Sequence, residues 1–329
     1  MTADLDGQVH QTGAARLGLG LAALGRPVYL TSGRIAALGT RRSVADLRAR
    51  TETVLDAAHA AGVRYLDAAR SYGCAEDFLA GWLAARPDVD DVLVGSKWGY
   101  RYVGDWRFDA EVQEVKDHSI TAFIDQLART RAVLGDRLGV YHVHSATMET
   151  GVLADGPLHR ALAQLRDKGV RVGISTSGPA QGDAIRRALD VLVDGEPLFT
   201  LIQSTWNLLE PSAAGALAEA AASGARVIVK EAVANGRLAP GGEDGSGNAG
   251  RASRVAAELG VSVDRLAIAA ALAQPWAWCV LSGAVDLDQL ASNAAAAELP
   301  LPGQVLDGLG SLAEPASSYW ATRAGRAWT

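Results

Sequence analysis

The stretch GLGLAALGRP, residues 18–27, decides between two folds. It opens the first apolar run of the chain. In an open, doubly wound sheet that run would pass through a Gly-rich turn straight into a helix. Here it passes into an irregular segment broken by Pro27, so the open sheet is the weaker reading. Downstream, short β-branched runs alternate with Ala- and Leu-rich stretches of helical period. The expected strands are 16–22, 64–69, 91–97, 139–145, 171–177, 199–205, 226–232 and 278–284. Helices lie between them, for example PLHRALAQLRDKG (157–169), closed by Gly169, and GALAEAAASG (215–224). Eight strand–helix units in 329 residues predict a closed (β/α)8 TIM barrel, an α/β fold, as one domain over 1–329.

Composition narrows the function. The net charge is −6 and no Lys/Arg block occurs, which argues against a nucleic-acid partner. The two cysteines, Cys74 and Cys279, form no ligand spacing, so no metal site is expected. The apolar segment 266–285 is interrupted by Gln274 and Pro275 and reads as a buried helix followed by a buried strand, so no membrane partner is expected. MTADLDGQVHQTG (1–13) is polar and unlike a signal peptide, and the expected setting is cytoplasmic. Residues 239–250, APGGEDGSGNAG, are expected to form a mobile loop after the seventh strand. Nothing in the sequence sets the oligomeric state.

In a barrel the chemistry sits where strands end at the C-terminal rim. There the second strand ends at Asp67, with Tyr72 five residues on and Gly73 behind it to permit a tight turn. The third strand ends at Lys97 and the fourth at His144. A phenol is a better proton donor when a neighbouring ammonium lowers its pKa, and a carboxylate can hold that ammonium in place. A histidine can donate a second hydrogen bond to the same substrate oxygen. Asp67, Tyr72, Lys97 and His144 therefore read as a tuned general acid. His142, two residues before His144 on the same strand face, reads as a hydrogen-bonded core residue below the site. Trp98, Tyr100 and Trp106 follow Lys97 and are expected to wall a substrate pocket.

These motifs resemble the aldo-keto reductase family. LDAARSYGCAE (66–76) is similar to its Asp/Tyr-Gly signature, VGSKWG (94–99) to its lysine strand and VYHVHSA (140–146) to its histidine strand. The resemblance runs from about residue 16 to residue 295. It implies a catalytic tetrad of Asp67, Tyr72, Lys97 and His144, a nicotinamide cofactor bound without a Rossmann fold, and hydride transfer to or from a carbonyl carbon. It implies NADP, with NAD as the alternative, and a small carbonyl or hydroxyl substrate that is polar and sugar-like. It also implies cofactor positions: Gly20, Ser175, Gln203, Gly283, Gln289 and Asn293, with Asp286 near the adenosine ribose. Two positions depart from the pattern. Thr176 stands where Asn is usual, and Lys230 stands where a Tyr stacks on nicotinamide. Two other functions remain open at this point: Schiff-base chemistry at Lys97 or Lys230, as in lyases and aldolases, and a non-catalytic cofactor-binding redox sensor.

Overall fold

A computed structural model describes residues 13–30, 39, 41–242 and 247–328. Eight parallel strands close into a barrel: β1 (Leu17–Gly20), β2 (Tyr65–Asp67), β3 (Leu93–Trp98), β4 (Leu138–Ala146), β5 (Arg171–Thr176), β6 (Leu201–Thr205), β7 (Arg226–Lys230) and β8 (Ala277–Ser282). Each strand pairs with its neighbours in sequence, and β1 closes the ring on β8. The register aligns the working strand ends: Gly20 pairs with Asp67, Asp67 with Gly95, Lys97 with His142, and Thr205 with Lys230.

Both strand faces are buried, as parallel strands under helices must be. The outward face packs on amphipathic helices, among them α1 (Val44–Ala60), α2 (Ala75–Ala84), α3 (Ile120–Leu134), α4 (Gly156–Arg166) and α5 (Gln181–Leu189). Local signals set their starts. Ser43 and Asp46 form a reciprocal capping box on α1, and the Asp155 carboxylate caps α4. The inward face forms a separate apolar plug of Tyr65, Leu93, Val140, Leu201, Ile228, Cys279 and Leu281. Gly95 makes room for this plug: a Cβ there would lie 2.4 Å from the Tyr65 hydroxyl oxygen.

The remaining helices are α6 (Ala214–Ala222), α7 (Gly247–Glu258), α8 (Val263–Leu272), α9 (Leu287–Ala295), α10 (Gly303–Leu309) and α11 (Ala316–Ala324). The expected loop 239–250 is shorter than the sequence suggests. Gly247 onward is the first turn of α7, whose buried Ala249, Gly250 and Ala252 supply an apolar face, while 243–246 fall outside the described residues. Residues 1–12, the basis of the signal-peptide reading, also fall outside them. Two features near the barrel mouth escaped the sequence reading. A hairpin (Tyr100–Tyr102 with Glu114–Lys116) follows β3, and α11 carries the chain end back over the barrel mouth. Among the described residues no helix is long and apolar enough to cross a membrane.

Candidate active site

The C-terminal ends of the strands surround a cavity of about 220 Å³. Asp67, Tyr72 and His144 line it, and Lys97 lies fully buried behind them. The Lys97 ammonium donates to Asp67 Oδ2 at 2.5 Å and to the Ala68 carbonyl at 2.9 Å. The second Asp67 oxygen accepts from Gln203 at 2.9 Å and from the Tyr65 hydroxyl at 3.3 Å. Tyr72 sits on the turn after β2. Gly73, at φ 61°, lets that turn press on the preceding loop, where a Cβ would lie 2.4 Å from the Gly25 carbonyl oxygen. The β4 register slips between Val143 and Ala146, with Ser145 at φ 52°, a bulge of the kind that re-aims side chains at strand ends. The Tyr72 hydroxyl and His144 Nε2 lie 3.5 Å apart, with the two rings edge to face.

His144 is buried, and the charges of Lys97, Lys230 and Arg26 add to burial in holding its pKa well below the ordinary value. The imidazole is therefore neutral at pH 7. Ser71 Oγ lies 3.5 Å from Nδ1. A proton donated there leaves Nε2 as the N–H that faces Tyr72. Tyr72 differs from expectation. Burial, and then the Asp67 carboxylate, raise its pKa well above the ordinary value, and Arg26 acts in the opposite direction. The reason is geometric. The Lys97 ammonium is directed at Asp67 and lies over the face of the Tyr72 ring, 4.8 Å from its centroid, instead of against the phenol oxygen. The phenol thus holds its proton at neutral pH. His142 lies one layer lower, with Nε2 3.3 Å from the Tyr65 hydroxyl, and burial lowers its pKa to about 3.

Sequence reasoning missed most of the outer wall. Arg26, from the loop after β1, is buried against the Tyr72, Tyr29 and Trp328 rings and donates to Glu114 of the hairpin at 2.8 Å. Arg323 of α11 grips both carboxylate oxygens of Glu231 at 2.5 and 2.9 Å. Lys230, at the end of β7, donates to Thr205 Oγ1 at 2.7 Å, and its pKa is lowered to about 8 by burial. The backbone beyond it is strained. Glu231, Ala234 and Asn235 all have φ between 50° and 57°, a conformation rare outside glycine. Asn235 lines the cavity, 5% exposed, and its Oδ1 has no partner.

The other expected positions scatter. Tyr100 lines the cavity with its ring 5.0 Å from His144, but Trp98 and Trp106 do not line it. Trp98 follows Lys97 on β3, so strand alternation turns it outward against Phe123 of α3. Trp106 donates from Nε1 to the Arg42 carbonyl. Gly20, Gln203, Lys230 and Gly283 line the cavity. Ser175 Oγ accepts from the Ser145 amide, and Thr176 turns outward to donate to Ser204 Oγ, so Ser177 reaches the cavity in their place. Asp286 caps α9 by accepting from the Gln289 amide at 2.8 Å. Gln289 Oε1 accepts from the Val285 amide, and the Asn293 side chain bonds Ser282 Oγ at 2.8 Å. Arg251 of α7 donates to Ser311. Cys74 is half-buried, and burial pushes its thiol pKa up. Among the described residues no three His, Cys, Asp or Glu side chains are grouped to hold a metal.

Comparison with known proteins fits this geometry. The chain matches no curated protein sequence. Two of the solved structures that share its fold illustrate the likeness. The aldo-keto reductase AKR11C1 from Bacillus halodurans, in its holo form, is 21% identical with a TM-score of 0.69, over 93% of this chain and 96% of that one. The glycerol dehydrogenase AKR11B4 from Gluconobacter oxydans is 19% identical with a TM-score of 0.67, over 90% of each chain. The family model "Aldo/keto reductase family" matches residues 17–314, so the chain belongs to that family of NAD(P)H-dependent oxidoreductases.

Proposed function

We propose that the chain moves hydride between a nicotinamide cofactor and the carbonyl carbon of a small polar substrate, with Tyr72 as the proton donor in reduction. The observation that carries this reading is the meeting of Tyr72 OH and His144 Nε2 at one point of the cavity, with the Lys97–Asp67 pair behind them. A substrate oxygen placed there accepts one bond from the phenol and one from the imidazole. In reduction the phenol proton passes to the forming alkoxide. In oxidation the same group takes it back. Lys97, held by Asp67, lies close enough to the ring to stabilise the phenolate charge as it develops.

A bound dinucleotide supplies or accepts the hydride. The cavity wall suits its polar nicotinamide end: Gln203, Ser177 and the unpartnered Asn235 Oδ1 offer hydrogen bonds, and no heavy atom lies within 4 Å of a Cβ built on Gly283. NADPH is the proposed first choice, with NADH as the alternative. The lining supports a polar substrate, since Arg26, Glu114, Glu231, Lys230 and Arg323 all reach the cavity.

Replacing Tyr72 with Phe tests the reading. Turnover should fall by about a hundredfold to ten-thousandfold. The dissociation constant for reduced cofactor, read by tryptophan fluorescence, should stay within about twofold because the phenol faces the substrate oxygen. Wild-type turnover in this variant would remove Tyr72 from the mechanism.

A further inference from the structure

Among the described residues the cavity charges form pairs with one remainder. Arg26 is matched by Glu114, Lys97 by Asp67, and Arg323 by Glu231. Lys230 is left over. Its nearest carboxylate oxygen, Glu231 Oε1, is 3.7 Å away and already bonded to Arg323. The second Glu231 oxygen accepts from Arg323 and from Thr205. The only hydrogen bond that the Lys230 ammonium donates among the described residues is to the neutral Thr205 hydroxyl. Its side chain is 16% exposed, and that exposure opens into the cavity. An enclosed ammonium with an engaged neighbour and spare N–H donors is stabilised by an anion brought in from solution.

We infer that Lys230 is the docking point for an anionic group of the substrate, a carboxylate on a short-chain aldehyde or ketone. The inference rests on the oxidoreductase reading and deepens it by naming a substrate class. Two observations favour the substrate over a cofactor phosphate as the source of the anion. Lys230 and His144 line the same cavity, so the ammonium shares the space in which the substrate oxygen sits. The cavity, at about 220 Å³ and lined by both His144 and Lys230, suits a molecule of a few carbons. The lowered pKa of Lys230 agrees with a buried cation that lacks a full counter-ion.

The test compares 4-oxobutanoate with pentanal, an apolar aldehyde of the same chain length, at saturating reduced cofactor. The wild type should prefer 4-oxobutanoate by at least about tenfold in kcat/KM. Lys230→Met, which keeps the apolar stem, should abolish the preference, and Lys230→Arg should keep it. An absent preference in the wild type, or one that survives Lys230→Met, overturns the inference. So does a Lys230→Met enzyme that keeps its preference while reduced cofactor binds about tenfold more weakly, since the lysine then serves a dinucleotide phosphate. If neither aldehyde is turned over with NADPH or NADH, the oxidoreductase reading has failed. Docking is then read by tryptophan fluorescence with butanoate and butanamide. Tighter binding of butanoate by the wild type, lost in Lys230→Met, supports the inference, and equal binding overturns it.

Discussion

On the β2–β4 side of the cavity, Asp67, Tyr72, Lys97 and His144 hold one another in place with internal partners, on strand ends and a single glycine-bearing turn. On the β7 side, Lys230 has a partial partner, Asn235 Oδ1 has none, and three non-glycine residues take left-handed backbone angles. The first wall carries the residues on which the sequence resemblance rests. The second carries Lys230 and a glutamate, Glu231, clamped by an arginine from the far end of the sequence. A satisfied wall is suited to fixed chemistry. A wall with unmet polar groups is suited to a ligand that completes it.

Substitutions can break this contrast. Asp67→Ala strikes the satisfied wall and leaves the Lys97 ammonium buried without its partner. The expected loss is about 3–5 kcal/mol of unfolding free energy in urea, with Asp67→Ala/Lys97→Met recovering much of it. Arg323→Met strikes the other wall. Lys230 can take over part of the Glu231 charge, so the loss should be smaller, about 2 kcal/mol. The Lys230 pKa should rise in that variant, because Arg323 now pushes it down.

Lys230→Met should go the other way and stabilise the fold at pH 7, by about 1–2 kcal/mol, since it removes a poorly paired buried charge. The sign follows from the folded pKa of about 8, which lies below the ordinary value of 10.5. The penalty for burying the ammonium is complete below pH 8 and fades as pH rises from 8 toward 10.5, so the advantage of the variant should shrink over that window. Arg323 and Lys97 oppose protonation of Lys230 and Glu231 favours it. In the wild type, preference for a carboxylate substrate should accordingly decline above about pH 8.

The smallest expected effect lies at Asp286. Asp286→Ser keeps an N-cap on α9 but removes a charge. If that charge faces the ribose, the kcat/KM ratio should move toward NADPH by roughly tenfold, about 1.4 kcal/mol. An unmoved ratio would leave Asp286 as a helix cap alone.

The barrel and the grouping of Asp67, Tyr72, Lys97 and His144 were legible because their signals are local. Strand runs, a five-residue Asp-to-Tyr spacing and strand ends need no knowledge of the fold's closure. The outer wall was not legible. Arg26, Glu114, Arg323 and Trp328 come from a loop, a hairpin and the chain end, and only closure of the barrel brings them together. Two misreadings have one physical cause. β3 runs one residue past Lys97 and β5 one past Ser175, so alternation sends Trp98 and Thr176 to the helix side while their neighbours face inward. Extending the third strand by one residue corrects Trp98, whereas for Thr176, already inside the expected strand 171–177, counting the alternation from the inward-facing Ser175 corrects it.

The most direct test of the two-wall account measures kcat/KM for 4-oxobutanoate and pentanal in the Tyr72→Phe and Lys230→Met enzymes side by side. Tyr72→Phe should depress both substrates alike, by about a hundredfold or more, and leave their ratio intact. Lys230→Met should change the ratio by about tenfold. Wild-type rates in Tyr72→Phe, or a substrate ratio that follows Tyr72 and ignores Lys230, would contradict the division of chemistry and selectivity between the two walls.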